Sequence, residues 1–335
     1  MSRPPRRLFL IAMLLLAGGC AGERRRGTFE LAAQAYEVEV RRPAPRGAMA
    51  TASRGRGLVV ASYNLHQMLE PDALRADLAG LAFVDVWAMQ EVPVPRPGER
   101  DDDEEDVQRH RDAFRQSMAR ILPPGTWHLR AVAVNSTGGG GGRGGGRRPG
   151  GWTCEGQVVA SRLPIRGSAV WELGGEGKRR VALAAFIDHP RAGDVAVVNT
   201  DHEPGLFSSA PGPAGNDAQV ARLLDHLSRC DRPAIVAGDF NPTGLLWRLR
   251  THGRHVARLV RAMADAGLST TGHGDTVTFR SGPAAMRLDH IFLRDLRWVA
   301  GGVATTARGS DHLPVWCEVA PLRPQPPASG GGVEP

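Results

Sequence analysis

The order of apolar and polar residues along the chain predicts alternating strands and helices. Seven short runs are almost continuously apolar, a pattern typical of strands that are buried on both faces. These runs cover residues 58–64, 84–91, 129–134, 157–161, 181–187, 194–199 and 234–240. Between the runs, apolar residues recur with helical spacing. The helical positions are Leu74, Leu78 and Leu81, then Phe114, Met118 and Ile121, then Val220, Leu223, Leu224 and Leu227.

Three more predicted strands follow one another closely toward the carboxyl end, at residues 277–279, 288–293 and 315–319. Together with the earlier runs they predict an α/β protein with stacked β-sheets and helices packed outside. No convincing linker interrupts residues 57–321, so we predict a single domain there.

The segments around this domain have a different composition. Residues 21–56 are rich in Arg, Ala, Gly and Pro, which favours a flexible linker, and residues 322–335 form a Pro/Gly tail that we predict to be disordered. Inside the domain, residues 138–151 hold ten glycines and three arginines. Such a segment buries too little apolar surface to offset the entropy lost on ordering, so we predict a flexible insertion.

Residues 1–20 have the features of an export signal. Arginines precede an apolar run from Leu8 to Ala17, which is too short to cross a bilayer. The segment Leu16–Cys20 resembles a bacterial lipobox, although Ala17 stands where that pattern prefers leucine. The resemblance implies an exported protein, in the periplasm or on the cell surface, that is anchored to a membrane by a lipid on Cys20. Secretion without a lipid is the alternative.

Charge and cysteine content limit the classes of protein to which this chain can belong. The net charge of +7 would fall to +4 on removal of residues 1–19, because three arginines and no acids are lost. A mildly basic chain favours a polyanionic partner without specifying one. Three cysteines remain besides Cys20, which permits at most one internal disulfide and excludes a disulfide scaffold. No oligomerisation signal is present, and we expect a monomer.

Five short polar motifs stand at predicted strand ends. They are SYN (62–64), MQE (89–91), GDFN (238–241), LDHIF (288–292) and GSDHLPV (309–315). In this order, and together with ASRLPI (160–165), they resemble the endonuclease/exonuclease/phosphatase superfamily. The resemblance spans residues 57–321 and implies a deoxyribonuclease I-like fold, a four-layer α/β sandwich of two stacked mixed β-sheets flanked by helices. It also implies hydrolysis of phosphoester bonds.

Phosphoester hydrolysis accounts for these residue types. The reaction needs a hard cation on a phosphate oxygen, an oriented water and donors for the charge that develops. Carboxylate and amide oxygens suit Mg²⁺, with Mn²⁺ or Ca²⁺ as alternatives. Glu91, at the end of an apolar strand, is the best single candidate for a metal ligand. The resemblance adds Asn64 and Asp311 near the metal.

The resemblance also assigns catalytic roles. Asp239 and Asn241 lie two residues apart, so on an extended segment their side chains face the same way. Asp239 is expected to prepare the attacking water, and Asn241 to donate to the phosphate. His312 is expected to contact the scissile phosphate, with its imidazole oriented by Asp289. We interpret His290 as a packing residue.

Residues 199–205, NTDHEPG, depart from the family pattern, which commonly reads NTHLxxG with the histidine at the phosphate. Without a gap, Asp201 takes the histidine position, and strand alternation would point Asp201 into the site and His202 away. A bulge would let His202 take the catalytic role. We favour His202, because a second carboxylate would repel the phosphate unless it bound a cation.

The sequence thus predicts an exported, divalent-metal-dependent phosphoester hydrolase. DNA is the leading substrate, and the basic charge of the chain favours it. A sphingomyelinase-like lipid phosphodiesterase and an inositol-phosphate phosphatase remain alternatives, since the same catalytic residues serve all three. A non-catalytic surface binding module is a further alternative, against which the complete set of motifs argues.

Overall fold

A computed structural model of the chain describes residues 36–42, 57–95, 104–136, 154–174, 179–190, 192–204, 215–242, 252–282 and 284–322. The export signal, the glycine-rich insertion and the carboxyl-terminal tail after residue 322 lie outside the described residues. None of the helices in the described ranges is long and apolar enough to span a membrane.

The strands form two large sheets and a small hairpin. The first sheet has the order β1 (Tyr36–Arg42), β4 (Gly125–Ser136), β5 (Cys154–Ser161), β3 (Val86–Val94), β2 (Leu58–Asn64), β15 (Val315–Pro321) and β14 (Leu296–Val303). The second has the order β10 (Ser269–Thr270), β13 (Asp289–Arg294), β9 (Ala234–Asp239), β8 (Gly193–Asp201), β7 (Arg180–His189) and β6 (Ile165–Gly174). The hairpin consists of β11 (Phe279–Ser281) and β12 (Ala284–Met286).

Each large sheet contains both parallel and antiparallel pairs. Strands β2 and β3 are parallel in the first sheet, and β8 and β9 are parallel in the second. Within the described ranges, one short 3-10 helix (His66–Met68) and four α-helices accompany the sheets: α1 (Pro71–Gly80), α2 (Glu104–Ile121), α3 (Asn216–Ser228) and α4 (His252–Asp265).

Three apolar clusters separate four layers. The first joins α1 and α2 to one face of the first sheet, and the third joins α3 and α4 to the outer face of the second sheet. The middle cluster lies between the two sheets and includes Leu58 and Val60 of β2 and Ile235 and Ala237 of β9. Strands in the middle of both sheets are therefore buried on both faces. The predicted four-layer α/β sandwich is confirmed.

The predicted linker is wrong for residues 36–42, which form β1 and pair antiparallel with β4. Val38 and Val40 are buried there, while Glu37 and Glu39 are exposed. This alternation is the pattern of a strand buried on one face, but it is short and rich in charge, so it resembles a charged linker. The folded domain therefore includes residues before residue 57.

Candidate active site

At one end of the sandwich the space between the sheets changes from apolar to polar. Ile235 and Ala237 of β9 belong to the middle apolar cluster, and Asp239 follows on the same face of the strand. Val60 of β2 precedes Asn64 in the same way. The polar motifs therefore meet between the two sheets, at the ends of strands.

A buried network of amides connects the sheets directly behind this site. The Gln90 side chain donates to Ser62 Oγ at 3.2 Å and to Asn199 Oδ1 at 2.7 Å. Asn199 Nδ2 in turn donates to the backbone oxygens of Met89 and Val158, at 2.7 and 3.0 Å. These contacts hold β3 and β5 of the first sheet against β8 of the second. Gln90 and Asn199 belong to the MQE and NTDHEPG segments, but no role was predicted for either, although each is a polar residue at an inward position of an apolar strand.

Three buried aspartates form a row across the second sheet. The strand register pairs Asp289 with Asp239, and Asp239 with Asp201. Paired residues of neighbouring strands point to the same face and lie about 5 Å apart. We call Asp289, Asp239 and Asp201 the aspartate row. Because like charges this close repel one another, the row needs cations beside it.

His312 is the cation at one end of the aspartate row. Its Nδ1 donates to Asp289 Oδ2 at 2.9 Å, and its Nε2 lies 3.7 Å from Asp239 Oδ2. Burial alone would lower the pKa of His312, but the charges of Asp289 and Asp239 outweigh burial and raise the pKa to about 10. The imidazole is therefore protonated at neutral pH and can donate to a phosphate oxygen.

Asp239 occupies the centre of the row and has several donors around it. The backbone N–H of Asn241 donates to Asp239 Oδ1 at 3.0 Å, and Asn64 Nδ2 donates to Asp239 Oδ2 at 3.3 Å. Burial raises the pKa of Asp239, against the opposite effect of His312. Asp239 is therefore a stronger base than an exposed aspartate and suited to accept a proton from water.

Asn241 directly follows this strand end. Its side-chain amide donates to the backbone oxygen of His202 at 2.9 Å, which links the loops after β8 and β9. Its φ of +43° lies in the left-handed region, which asparagine adopts more readily than most residues. The predicted donation from Asn241 to the phosphate stays a prediction.

Glu91 and Asn64 lie together as the sequence predicts. Asn64 Nδ2 donates to Glu91 Oε1 at 3.0 Å, so one amide connects Glu91 with Asp239. Glu91 has a φ of +51° and sits where the pairing of β3 with β5 shifts between Met89 and Val92. Such a bulge redirects a side chain, and strained backbone of this kind is common at functional sites.

Asp311 borders the same region through His66. The backbone N–H of His66 donates to Asn64 Oδ1 at 3.0 Å, and His66 Nδ1 lies 3.4 Å from Asp311 Oδ1. The side chain of Asp311 is 27% exposed, and Glu91 is partly exposed. Oxygen donors on a partly open surface fit a hard divalent cation that keeps waters and substrate oxygens among its ligands.

Asp239, Asp289 and His312 also lie close enough together to hold an ion, with candidate ligand atoms within 4.8 Å of one another. In the structure, however, both imidazole nitrogens of His312 are directed at carboxylates, with Nδ1 2.9 Å from Asp289 Oδ2 and Nε2 3.7 Å from Asp239 Oδ2. These contacts fit a hydrogen-bonding role for the three residues, and the metal-ligand role of Glu91, Asn64 and Asp311 stays a prediction.

The structure contradicts the catalytic role predicted for His202. Strand β8 keeps a regular register with β9 through Asp201, without a bulge, so His202 falls on the opposite face. Its ring is fully buried and stacks on Phe240, with ring centroids 4.9 Å apart. Burial, with a smaller effect of Arg180, lowers the pKa of His202 to about 3. His202 is thus a neutral packing residue behind the site.

Asp201, in contrast, faces the site and has a cation that sequence reasoning missed. Arg180 Nη1 lies 2.6 Å from Asp201 Oδ2, and both side chains are buried. This ion pair removes the objection that a second carboxylate would repel the phosphate. The sequence contained one indication of such a cation, because an aspartate that points into the fold needs a positively charged partner. It did not indicate that this partner lies on the neighbouring strand.

His290 packs as expected. The ring is buried, stacks on Phe292 with centroids 5.6 Å apart and meets Phe240 edge-on at 6.0 Å.

We expect His202→Leu to retain kcat/KM within about threefold, because the ring does not face the site. The variant should also be less sensitive to acid. The pKa of His202 rises from about 3 to about 6.5 on unfolding, so the wild type loses up to about 1.4 kcal/mol of stability per pH unit as the pH falls through this window. Urea unfolding of both proteins between pH 7 and pH 4 measures the difference.

The control for His202→Leu is His255→Leu, on the partly exposed part of α4. It should reproduce the acid sensitivity of the wild type. A loss of activity in His202→Leu as large as that in His312→Ala, without loss of stability, would restore the catalytic role of His202.

Comparisons with known proteins agree with this geometry. A family model described as "Endonuclease/Exonuclease/phosphatase family" matches residues 61–312. An endonuclease/exonuclease/phosphatase from Beutenbergia cavernae is 22% identical, with a TM-score of 0.56 over 79% of this chain and 72% of that chain. A family protein from Leptotrichia buccalis is 16% identical, with a TM-score of 0.55 over 78% of this chain and 99% of that chain. A search of curated proteins found no match. At these identities the similarity to solved structures shows the fold.

Proposed function

Because the chain belongs to the endonuclease/exonuclease/phosphatase family and is a divalent-metal-dependent phosphoester hydrolase, we propose that its substrate is DNA and its metal is Mg²⁺. Under this proposal, the protein is an exported, nuclease-like phosphodiesterase.

The observation that supports the DNA proposal is a pair of exposed arginines, Arg280 and Arg308, in the segments next to Asp311, which we call the basic rim. Arg280 is exposed, and its backbone N–H donates to the backbone oxygen of Asp311 at 2.7 Å. Arg308 is also exposed, three residues before Asp311. Neither guanidinium forms an ion pair among the described residues. The backbone N–H of Arg308 donates to the Asp77 carboxylate of α1, at 3.0 and 3.1 Å. Two exposed guanidinium groups at the basic rim favour a substrate with several phosphates, such as a nucleic acid strand.

The chain's own residues would divide the reaction as follows. Asp239 accepts a proton from the attacking water, and the protonated His312, oriented by Asp289, donates to a phosphate oxygen. Glu91, Asn64 and Asp311 would hold Mg²⁺, which when bound offsets the charge of the phosphate. Phe279 covers the imidazole of His312, with ring centroids 4.9 Å apart, and limits access of water to it.

To test the proposal, hydrolysis by the protein without residues 1–20 is measured in the presence of Mg²⁺ on three substrates: supercoiled plasmid DNA, sphingomyelin vesicles and inositol hexakisphosphate. We expect cleavage of DNA, and its loss in His312→Ala. Turnover of sphingomyelin or of the inositol phosphate alone would replace DNA with that substrate. If none of the three is turned over, the DNA proposal fails.

The basic rim makes a quantitative prediction about salt. Changing both Arg280 and Arg308 to alanine should weaken DNA binding and reduce the slope of log K against log salt by about two, since each phosphate contact contributes about one. Arg166 and Arg229, exposed on other parts of the surface, are the matched control pair. An unchanged slope in the Arg280/Arg308 variant would exclude this rim as the DNA contact.

We also propose export with lipid attachment at Cys20. The arginines, the apolar run and the lipobox-like segment of residues 1–20 support it. In a bacterial host, the wild type should incorporate labelled fatty acid and sediment with membranes, whereas Cys20→Ser should do neither. Equal labelling of both proteins would contradict the proposal.

A further inference from the structure

The ion pair of Arg180 and Asp201 has properties that a purely structural role does not explain. Both side chains are nearly inaccessible, 6% and 7% exposed, and Arg180 Nη1 also reaches the backbone oxygen of Asp201 at 3.5 Å. The Arg180 Nε is buried and has no hydrogen-bond partner among the described residues. A guanidinium offers five N–H donors, so it has unused capacity here.

The position of this pair is set by the aspartate row. Asp201 is in register with Asp239, and Asp239 is in register with Asp289. His312 therefore stands at one end of the row and Arg180 at the other, with the water-activating Asp239 between two cations. Burial lowers the pKa of Arg180, but the charges of Asp201, Glu155, Glu203 and, least of these, Asp239 together raise it. Arg180 is as deeply buried as His312 and Asp239, which the reaction must also reach.

Stability alone gives little reason to keep such a pair. Taking two charges out of water costs several kcal/mol per ion, and apolar residues of similar volume often serve as well or better. The neighbouring positions of β7, Val181 and Ala182, are apolar and fully buried, so an apolar pair would fit this environment. A buried guanidinium paired with Asp201, the residue in register with Asp239, therefore points to a role in the site.

We propose that Arg180, held in place by Asp201, contacts the phosphate group of the substrate from the end of the aspartate row opposite His312. The proposal rests on the active site described above and does not depend on whether the phosphate belongs to DNA. It makes Arg180 a catalytic residue and Asp201 a positioning residue. Two fixed cations would then flank the phosphate, one a guanidinium that stays charged at every working pH and one an imidazolium.

The test uses a double variant, Arg180→Met with Asp201→Leu, because Arg180→Met alone leaves Asp201 buried without its cation. Binding of inorganic phosphate is measured by calorimetry, with Mg²⁺ and with EDTA, and kcat and KM are measured on bis(4-nitrophenyl) phosphate. We expect phosphate affinity to fall about 10- to 100-fold in both conditions, and kcat about 100-fold or more. The thermal midpoint should stay close to that of the wild type.

Two further variants separate the roles. Arg180→Lys keeps a charge but loses the fork of donors, so we expect a loss smaller than that of the double variant. Arg130→Met is the matched control, since Arg130 is a buried arginine that pairs with Glu37 at 3.0 Å away from the aspartate row. It should bind phosphate as the wild type does.

Wild-type phosphate affinity and kcat in a folded double variant would overturn the proposal, as would an equal loss in Arg130→Met. Failure of the DNA proposal gives a different result: the wild type would leave plasmid DNA intact while its phosphate affinity still depended on Arg180.

Discussion

Asp239→Asn is expected to lower kcat about 10³-fold while KM changes little. Asparagine keeps the shape of the side chain but cannot accept a proton from water, and general-base catalysis contributes about 10²- to 10⁴-fold. Asp239 is also the carboxylate that His312, Asn64 and the Asn241 backbone all approach. Its replacement therefore removes the negative charge at the centre of the site. Steady-state kinetics on plasmid DNA and on bis(4-nitrophenyl) phosphate measure the effect.

The control for this variant is Asp188→Asn, an aspartate that pairs with Arg166 on the exposed surface. It should keep full activity. If Asp239→Asn is folded and retains more than a tenth of wild-type kcat, another group prepares the water and the assignment is wrong.

Removal of the metal is expected to have an effect of similar size. EDTA should lower the rate at least about 10³-fold, and excess Mg²⁺ should restore it, because the cation supplies several kcal/mol of charge stabilisation. Glu91→Gln should raise the Mg²⁺ concentration needed for half-maximal rate at least about 100-fold, because it removes the charge of the partly exposed carboxylate that we propose as a metal ligand.

Direct binding separates a lost ligand from lost chemistry. Mn²⁺ titration followed by electron paramagnetic resonance should show weakened binding in Glu91→Gln and unchanged binding in Asp239→Asn. Glu172→Gln, which alters a surface carboxylate paired with Arg179, serves as the control. Weaker Mn²⁺ binding in Asp239→Asn than in Glu91→Gln would place the metal at the aspartate row instead.

The buried half of the fold could be predicted from the sequence because burial on both faces leaves a strong signal. The runs that became β2, β3, β7, β8 and β9 are almost entirely apolar, and each was predicted. The strands that the pattern missed include β1, β6, β10 and β14, which are the four edges of the two large sheets. Edge strands expose one side to water and have mixed, short or charged patterns, so periodicity does not distinguish them from loops.

The active site, like the fold, has residues that could be predicted from the sequence and contacts that could not. Short motifs at strand ends could be recognised from the sequence, because their residue types and order resemble those of the family; they supplied Glu91, Asn64, Asp239, Asn241, Asp289, Asp311 and His312. The structure brings Asn64 into contact with both Glu91 and Asp239, and Asp289 into contact with His312.

Residues 199–205 show what could not be predicted from the sequence alone. The sequence determined that an aspartate and a histidine follow each other at the end of β8, and that alternation allows only one of them to face Asp239. Which one faces it depends on whether the pairing of β8 with β9 continues or bulges, and on whether a cation is available for the aspartate. Both answers come from other strands: β9 keeps the register through Asp239, and β7 supplies Arg180. Only the tertiary structure could decide them, because the energy of a buried charge depends on neighbours that are distant along the chain.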